Sequence, residues 1–398
     1  MNMVAKPKVI IFSGHLMGLS ETFIKAQASA LCEYDPVYAG SRRVVGLELP
    51  PEKVYTVNRG GLLGKFHELR FKVLGSAPAM VKRLEALRPV LLHAHYGPNG
   101  LRALPLASKL RLPLITTFHG GDATITDLRH QETYLGFRLY WANKARLKTS
   151  NATFIAVSQF VRRKLLEQGF PAERVLVNYT GVDIKKFKPA STEGRPIILF
   201  VGRMVGFKGA EFVIKAASEV QSQFPEVELV LIGDGPLRKD LERLAKQSLR
   251  RYQFLGARTS EEVSNWMNRA SVLCMPSITM CSGEAEGFGM VCAEAQAVGK
   301  PVVAFASGGL SEIISHGNTG FLAEERDWQA LAGYLMTLLQ SADLRERFGR
   351  AARELMLRRF DLEACTRRLE GVYGMVLGAH AARREENQWH ASAVESCS

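Results

Sequence analysis

The sequence has no apolar run long enough to cross a bilayer and no cysteine pattern typical of a metal site. Its apolar runs are broken within about ten residues, whereas a membrane-spanning helix needs roughly 18. The six cysteines form no CxxC pair and no zinc-like spacing. Residues Met1 to Pro7 are a short polar leader followed by a strand-like run, so we expect no secretory signal. These absences favour a cytoplasmic protein with free thiols.

Two catalytic motifs are also missing. The sequence contains no Asp-x-Asp pair of the kind that holds a divalent metal, so we expect neither a metal site nor a cofactor. Neither half opens with GxGxxG, which argues against a nicotinamide-dependent dehydrogenase.

Length and composition indicate a globular protein of two or three domains. The chain has 398 residues, 46% of them hydrophobic and 23% charged, and domains average roughly 150 residues. Residues 1–185 contain 26 Lys and Arg against 13 Asp and Glu, and the remainder contains 26 of each, so the net charge of +13 lies entirely in the first half. This half is either an ordinary solvated surface or, as we favour, a face for an anionic membrane or a phosphorylated substrate; we expect no nucleic-acid partner.

Strand-like runs alternate with helical patterns in both halves, which predicts an α/β fold with two parallel sheets. The predicted strands are 9–13, 90–94, 113–118, 153–157, 175–178, 196–201, 227–232, 252–255, 271–275 and 301–305. The clearest predicted helices are 20–32, 80–87, 210–223, 237–246, 289–298 and 327–339. We predict domains at 1–184 and 196–360, a linker at 185–195, and a C-terminal helix and tail at 361–398 that can cross back to the first domain. The tail is polar from Gly378 onward, and we expect it to be frayed.

A glycine-rich turn with two cations follows the predicted strand that ends at Val201. The turn contains Gly202, Arg203, Gly206, Lys208 and Gly209, and a helix follows. Glycines let backbone N–H groups approach an anion, and a helix start adds partial positive charge. Arg203 and Lys208 can reach the same anion, although a turn with two surface cations remains an alternative.

A second motif combines two glutamates with a glycine-rich helix start. Glu286 lies in a loop beside Gly287, Phe288 and Gly289, and Glu294 lies eight positions after Glu286 in the following helix. One carboxylate can accept hydrogen bonds from sugar hydroxyls, the other from ribose, and free amides can meet a phosphate. Alternatively, Glu294 is a solvated helix residue and Glu286 caps the helix.

These motifs together resemble the nucleotide-sugar site of GT-B retaining glycosyltransferases of family 4. The resemblance also includes the later Gly299-x-Pro301-Val-Val-Ala304 and Gly308-Gly309-Leu-Ser-Glu312 runs. It implies two Rossmann-like domains that face each other across a cleft.

The resemblance implies a role for each of the matching residues. The diphosphate would be held by Arg203, Lys208 and the turn at Gly202. The sugar and phosphate would be held by Glu286 with Gly287, Phe288 and Gly289. The ribose would be held by Glu294. In the first half, Gly14 would lie where donor and acceptor meet, and His119 would touch the donor sugar from the opposite domain. The Ser20-Glu21-Thr-Phe run resembles enzymes that build bacterial surface polysaccharides.

Two further histidines follow a predicted strand. For His93 we favour a packed residue with a satisfied ring nitrogen, and for His95 packing and function remain equally open.

The resemblance implies transfer of a hexose-type sugar with retention of configuration. The missing Asp-x-Asp pair, together with Arg203 and Lys208, predicts that the transfer is metal-independent. The donor would be a UDP- or GDP-linked sugar and the acceptor a glycan or a lipid-linked glycan. Alternatives are another GT-B enzyme, such as a phosphorylase or nucleotide-sugar epimerase, and a catalytically silent subunit. Retention of all four charged residues of the motifs disfavours the silent subunit.

Residues Arg59 to Lys72 interleave four cations with apolar side chains. The cations are Arg59, Lys65, Arg70 and Lys72, and the apolar residues are Leu62, Leu63, Phe66, Leu69 and Phe71. A helix here either docks on the inner face of an anionic membrane or buries its apolar stripe in the domain core.

Overall fold

The computed structural model describes residues 5–18, 21–126, 135–190 and 196–395, with side chains as far as residue 386. Ser20 and part of the predicted linker therefore lie outside the described residues. The described chain contains two large parallel sheets covered by helices, as the alternating sequence pattern predicts. The α/β fold class is confirmed.

The first sheet has seven strands, in the order β5-β3-β1-β6-β7-β8-β9. The strands of the first half are β1 (Lys8–Phe12), β2 (His15–Leu16), β3 (Asp35–Gly40), β4 (Arg42–Arg43), β5 (Val54–Thr56), β6 (Leu91–His95), β7 (Leu114–Phe118), β8 (Thr153–Ala156) and β9 (Val175–Val177). The short strands β2 and β4 form a separate pair beside the sheet. Strands β3 and β5 were not predicted. Strand β3 begins with Asp35 and Pro36, which are poor strand formers, and it forms because pairing with β1 overrides that local preference.

The second sheet has six strands, in the order β12-β11-β10-β13-β14-β15. They are β10 (Ile197–Val201), β11 (Glu228–Ile232), β12 (Tyr252–Gly256), β13 (Val272–Met275), β14 (Val302–Phe305) and β15 (Gly320–Ala323). Only β15 was not predicted. This is the strand order of a Rossmann domain. Strands β11 and β12 are added on one side of β10 and the last three strands on its other side, so the order switches sides between β10 and β13.

Helices cover both sheets and continue beyond them. They are α1 (Thr22–Ser29), α2 (Gly61–Leu74), α3 (Pro78–Glu85), α4 (Gly97–Leu110), α5 (Gly121–Thr124), α6 (Leu135–Thr149), α7 (Gln159–Glu167), α8 (Ala210–Gln223), α9 (Arg238–Ser248), α10 (Ser260–Arg269), α11 (Met290–Ala297), α12 (Leu310–Ile313), α13 (Trp328–Gln340), α14 (Ala342–Arg359) and α15 (Leu362–Glu395). The expectation of a frayed tail from Gly378 is wrong, because α15 continues through it to Glu395. Among the described residues, no helix is both long and apolar enough to cross a membrane.

The C-terminal helix α15 packs against the first half of the chain. The chain passes beside itself at Val182, whose N–H donates to the carbonyl of Phe360 at 2.7 Å, and α15 begins two residues later. The Glu370 carboxylate accepts hydrogen bonds from the backbone N–H groups of Cys32 and Glu33, both at 2.7 Å. Helix α15 therefore completes the surface of the first sheet. The domain boundaries at 184, 196 and 360 remain a prediction.

The exposure of α2 excludes one of the two alternatives given for residues 59–72. Phe71 is buried against the ring of Phe12, but Leu62, Leu63, Phe66 and Leu69 are exposed to solvent. A stripe buried in the domain core is therefore wrong for this helix.

Candidate functional site

Some of the predicted site residues follow the strand of each sheet at which the strand order switches from one side to the other. Gly14 follows β1 and Gly202 follows β10, and these are the strands from which the two sheets extend in opposite directions. The loop that carries Glu286 follows the neighbouring strand β13. Ligands of open parallel sheets bind in the crevice at this point, outside the carboxyl ends of the strands.

The turn between β10 and α8 has a backbone that only glycine permits. Gly209 has φ +65°, and a Cβ on it would lie 1.9 Å from the carbonyl oxygen of Pro276. The turn therefore packs directly on the chain that leaves β13. Arg203 in the same turn is exposed and has no ion-pair partner among the described residues, which leaves its guanidinium accessible to an anion.

Lys208 and Glu286 form an ion pair between these two loops. The Lys208 Nζ lies 2.5 Å from Glu286 Oε2, and the two side chains are only 14% and 12% exposed. Ser277 Oγ donates to the same carboxylate oxygen at 3.3 Å. The structure thus brings together two charged residues that the sequence separates by 78 positions.

The loop at Glu286 is held by a glycine pair from the next loop. A Cβ on Gly308 would lie 2.1 Å from the carbonyl oxygen of Glu286, and one on Gly309 would lie 2.2 Å from that of Gly287. The Gly309 N–H also donates to the Glu286 carbonyl at 2.9 Å. Close backbone packing therefore fixes the position from which the Glu286 side chain extends.

Glu294 lies in α11, the helix that begins after Gly289. Burial raises the pKa of its carboxyl to about 8, with a smaller opposing effect from Lys186. Burial also raises the pKa of the neighbouring Cys292 thiol, which is influenced by the charges of Glu286, Lys208 and Glu294. Glu286, Lys208 and Glu294 therefore all lie near Cys292 of α11.

His119 directly follows β7 in the first half, and its turn is held by Asp122. One carboxylate oxygen of Asp122 accepts from the N–H groups of His119 and Gly120, at 3.1 and 2.9 Å, and the other accepts from Gly97 at 2.9 Å. The His119 ring packs against Phe23 and Tyr96. Burial lowers the pKa of His119 well below its usual value, so the ring is neutral.

Three histidine rings stack from the core toward this position. His93 and His95 have ring centroids 4.4 Å apart, and His95 and His119 have centroids 5.3 Å apart. His95 Nδ1 lies 3.0 Å from His119 Nε2. His93 is fully buried, with Tyr373 Oη and Thr117 Oγ1 each 2.7 Å from a ring nitrogen. His93 is thus a packed residue, whereas His95 contacts His119 directly.

The two halves meet where His119 faces the loop of Glu286. A Cβ on Gly287 would lie only 2.0 Å from the carbonyl oxygen of His119. Ser158 Oγ donates to the Gly287 carbonyl at 2.6 Å. Nearby, the Thr126 N–H donates to the Ser282 carbonyl at 2.8 Å. The carboxyl edges of the two sheets therefore face each other at these residues.

Gly14 lies beside two polar side chains of α4. A Cβ there would lie 2.7 Å from Asn99 Oδ1 and 2.9 Å from Arg102 Nη1. This close approach places Arg102 on the first-half side of the cleft.

Two residues that organise the site were not among those predicted from the sequence. Asp122 fixes the turn of His119, and Glu312 crosses from α12 to the start of α7 in the other half. Glu312 stands in the Gly308-Gly309-Leu-Ser-Glu312 run, and Asp122 follows His119 and two glycines; these glycine-containing runs are the signal that marks the two residues. Among the described residues, no group of three or more His, Cys, Asp or Glu side chains is arranged to hold a metal ion.

Two Rossmann-like domains with facing carboxyl edges define the GT-B class of glycosyltransferases. Residues 182–355 match the family model for glycosyl transferases group 1, and residues 32–186 match that for glycosyltransferase family 4. A glycosyltransferase of Methanocaldococcus jannaschii is 33% identical over 286 residues, which cover 71% of this chain and 74% of that protein. The chain belongs to glycosyltransferase family 4, and the resemblance is confirmed for the family and for the GT-B fold.

Relatives and solved structures extend the similarity over most of the chain. The amylovoran biosynthesis glycosyltransferase AmsK of Erwinia amylovora is 29% identical over 354 residues, 83% of each chain. The structure of Anabaena HepE in complex with UDP and glucose has a TM-score of 0.73 at 21% identity and covers 93% of this chain and all of that one. A sucrose-phosphate synthase of Thermosynechococcus elongatus has a TM-score of 0.76 at 22% identity, with 94% of this chain covered. The two structures share the GT-B fold with this chain.

Proposed function

We propose that this glycosyltransferase moves a hexose-type sugar from a nucleotide-diphosphate sugar to a glycan or lipid-linked acceptor, with retention of configuration and without a metal. The observation that carries the proposal is the largely buried ion pair between Lys208 and Glu286, in the loops that lead into α8 and α11. A cation and a sugar-orienting carboxylate side by side suit a sugar–phosphate bond that breaks between them.

In this proposal, fixed positive charge stabilises the leaving diphosphate. Negative charge grows on the diphosphate as the bond breaks, and a preorganised cation stabilises it most where water is excluded. Lys208 would supply that charge from inside the cleft and Arg203 from its rim. The N–H groups of Gly287 to Met290 would add the partial charge of a helix start.

Three other side chains would position the donor. Glu286 would accept hydrogen bonds from sugar hydroxyls, and Glu294 would accept them from both ribose hydroxyls. His119 would touch the sugar from the opposite half, since its carbonyl already lies beside Gly287. Its neutral ring, hydrogen-bonded to His95, can donate from one nitrogen and accept at the other.

The chemical step exchanges one bond at the anomeric carbon. The acceptor hydroxyl oxygen forms a bond to that carbon on the face from which the diphosphate leaves, and the bond from carbon to phosphate oxygen breaks. The hydroxyl proton passes to the departing phosphate oxygen. The products are the glycosylated acceptor and a nucleoside diphosphate, so the reaction requires no redox partner.

The relatives suggest the donor and the setting. A solved structure of HepE holds UDP and glucose, and AmsK is named for amylovoran biosynthesis. We accordingly place the present chain in surface-polysaccharide synthesis with a UDP- or GDP-linked sugar. A lipid-linked acceptor would hold the enzyme at the cytoplasmic face of a membrane.

A thermal-shift screen of nucleotide sugars tests the proposal. A ligand that binds only the folded state raises the melting temperature by mass action. We expect UDP-glucose, UDP-galactose or GDP-mannose to do so, and the best ligand to yield nucleoside diphosphate when extracted acceptors are added. Release of sugar 1-phosphate on addition of inorganic phosphate would instead identify a phosphorylase, and no shift with any nucleotide sugar would contradict the donor class.

A further inference from the structure

Helix α2 exposes a continuous apolar face. Six of the eleven large hydrophobic side chains exposed in the described part of the chain belong to this one helix, and each is at least 60% exposed. They are Leu62, Leu63, Phe66, Leu69, Val73 and Leu74. Single exposed apolar residues are common, but a cluster of this kind marks an interaction surface.

The opposite face of α2 is firmly attached to the first sheet. Phe71 packs against Phe12, and the buried Glu68 carboxylate accepts hydrogen bonds from Asn58 Nδ2 at 2.7 Å and Lys72 Nζ at 2.5 Å. The Glu68 carboxylate also lies 3.8 Å from Arg42. These contacts fix the rotation of the helix about its axis. The apolar residues are therefore held outward, and the helix cannot turn them into the core without breaking the Glu68 contacts.

Cations lie beside this apolar face. Arg59 and Lys65 are exposed, and neither has an ion-pair partner within the described ranges. The acid on α2, Glu68, points inward and is already paired. Exposed apolar side chains and the exposed cations Arg59 and Lys65 thus occur together in and just before α2, on the half of the chain that carries the whole net charge of +13.

We propose that α2 docks the protein on an anionic phospholipid bilayer. An interfacial helix buries its apolar face at the boundary between headgroups and acyl chains, while its cations attract anionic headgroups. Leu63, Phe66 and Leu69 enter that boundary, and Arg59 and Lys65 meet the headgroups. A second copy of the chain fits less well, because a symmetric contact would oppose the same cations on both copies.

Docking at α2 also determines what lies near the membrane. Arg42, which Glu68 contacts, is in β4, and β4 pairs with β2 at His15, directly after Gly14. The first-half side of the cleft is therefore connected to the docked helix through a short chain of contacts. An acceptor anchored in the same bilayer can reach this side; this last step rests on the proposed function, whereas the docking does not.

Vesicle co-sedimentation tests the docking. Wild-type protein without any nucleotide is mixed with vesicles of phosphatidylcholine alone, or with phosphatidylglycerol added, at low and physiological salt. We expect sedimentation with the anionic vesicles that weakens as salt rises. Arg59→Gln with Lys65→Gln removes two headgroup cations and should weaken partitioning about 30-fold.

A second variant separates docking from simple charge attraction. Leu63→Gln, Phe66→Gln and Leu69→Gln together should abolish sedimentation, whereas Leu357→Gln with Met375→Gln, two exposed apolar residues elsewhere, should not change it. All of these side chains are solvent-exposed, so the melting temperature should stay near that of wild type. The same melting experiment with a nucleotide sugar reports on donor binding independently of the membrane.

Two results would overturn the proposal. Wild-type protein that stays in the supernatant with anionic vesicles at low salt would show that α2 does not bind a bilayer. A wild-type dimer by light scattering that the triple glutamine variant converts to a monomer would assign the same face to a second copy of the chain.

Discussion

Glu312 accepts a hydrogen bond from the backbone N–H of Phe160, at 2.7 Å, although the two residues belong to opposite halves of the chain. Its other carboxylate oxygen accepts from Gln159 N–H and Tyr179 Oη, both at 2.9 Å. Burial and the bond to Glu312 raise the pKa of Tyr179 to about 12, so the phenol remains a donor. A carboxylate at a helix start is also favoured by the helix dipole. These bonds hold the two halves together beside the cleft.

Glu312→Gln should shift the protein toward an open arrangement. It removes a charge and one acceptor, and hydrogen bonds to charged groups contribute about 1.5–3 kcal/mol. We expect kcat/KM to fall about 10- to 100-fold if these bonds form only on closure, and the radius of gyration from small-angle scattering to increase. Glu324→Gln, an exposed glutamate of the same half, is the control. If Glu312→Gln and Glu324→Gln gave the same scattering curves and the same kinetics, Glu312 would not hold the two halves together.

Gly287→Ala should separate the two halves by steric contact. The new Cβ would meet the His119 carbonyl oxygen at 2.0 Å and Gly120 Cα at 2.9 Å. Misplacement of catalytic groups by about 1 Å can reduce the rate about 100-fold, and we expect a loss of that order in kcat/KM. Gly333→Ala, in the middle of α13 with nothing within 4 Å, should leave activity intact. Normal kinetics in Gly287→Ala would mean that the enzyme works without this close approach.

Lys208→Ala should lower turnover even at saturating donor. By analogy with the loss of an oxyanion donor, the effect is about 2.7–4 kcal/mol, or 100- to 1,000-fold in kcat. The melting temperature of the variant should be measured beside kcat, so that a loss of stability is told apart from a loss of turnover. Lys215→Ala, on the exposed side of α8, provides the comparison. Near-normal kcat in Lys208→Ala would remove Lys208 from the diphosphate site.

Glu294 should make donor binding depend on pH. Its pKa of about 8 means that the carboxyl is mostly protonated at neutral pH. In the proposed function, ribose hydroxyls donate to Glu294 and favour its ionised form, so UDP-glucose affinity should rise as pH increases toward about 8 and then level off. Titration calorimetry in buffers of different ionisation enthalpy should detect proton release on binding at neutral pH. Glu294→Gln should show no proton release, and its persistence there would place the titrating group elsewhere.

The same pKa has a consequence for stability, with a definite sign. The folded pKa of about 8 exceeds the ordinary value of 4.5, so the folded state binds more protons between these two values. The contribution of Glu294 to the free energy of unfolding therefore falls as pH rises from 4.5 toward about 8 and is constant above it. Glu294→Gln should remove this decline, which urea unfolding at several pH values can measure.

Activity should survive removal of divalent metals. In the proposed mechanism Lys208 and Arg203 supply the positive charge that a metal provides in other transferases. Nucleoside diphosphate release would be measured after dialysis against EDTA and again after addition of magnesium or manganese. A metal requirement restored by re-addition would overturn this part of the mechanism.

The fold was predictable wherever a strand is buried on both faces. Such strands appear as short apolar runs, and Ile197–Val201 and Val302–Phe305 lie within one residue of their predicted bounds. Strand β3 was missed because its first residues, Asp35 and Pro36, have no strand propensity of their own. Its pairing partners in β1 and β5 decide its conformation.

The candidate site was predictable as motifs but not as contacts. Lys208 and Glu286 each stand in a recognisable local pattern, yet their ion pair depends on the packing of two loops. The position of Glu312 at the start of α7 depends on the approach of the two halves, which no local pattern encodes. For α2, a single stripe of Leu and Phe fits either core or surface. The inward-facing Glu68, tied to Asn58 and Lys72, determines which side is buried.

The packing of α15 affects the order in which the protein can fold on the ribosome. Tyr373 covers His93 and Tyr34 in the first half, yet it is synthesised after the entire second half. At a translation rate of about 5–20 residues per second, roughly 10–40 s pass between residues 184 and 373. During that interval all the strands of the first sheet have been synthesised, but α15, which packs against this half, is still missing. The first half should therefore be a client for chaperones until α15 emerges, and folding cannot finish strictly from the N-terminal side.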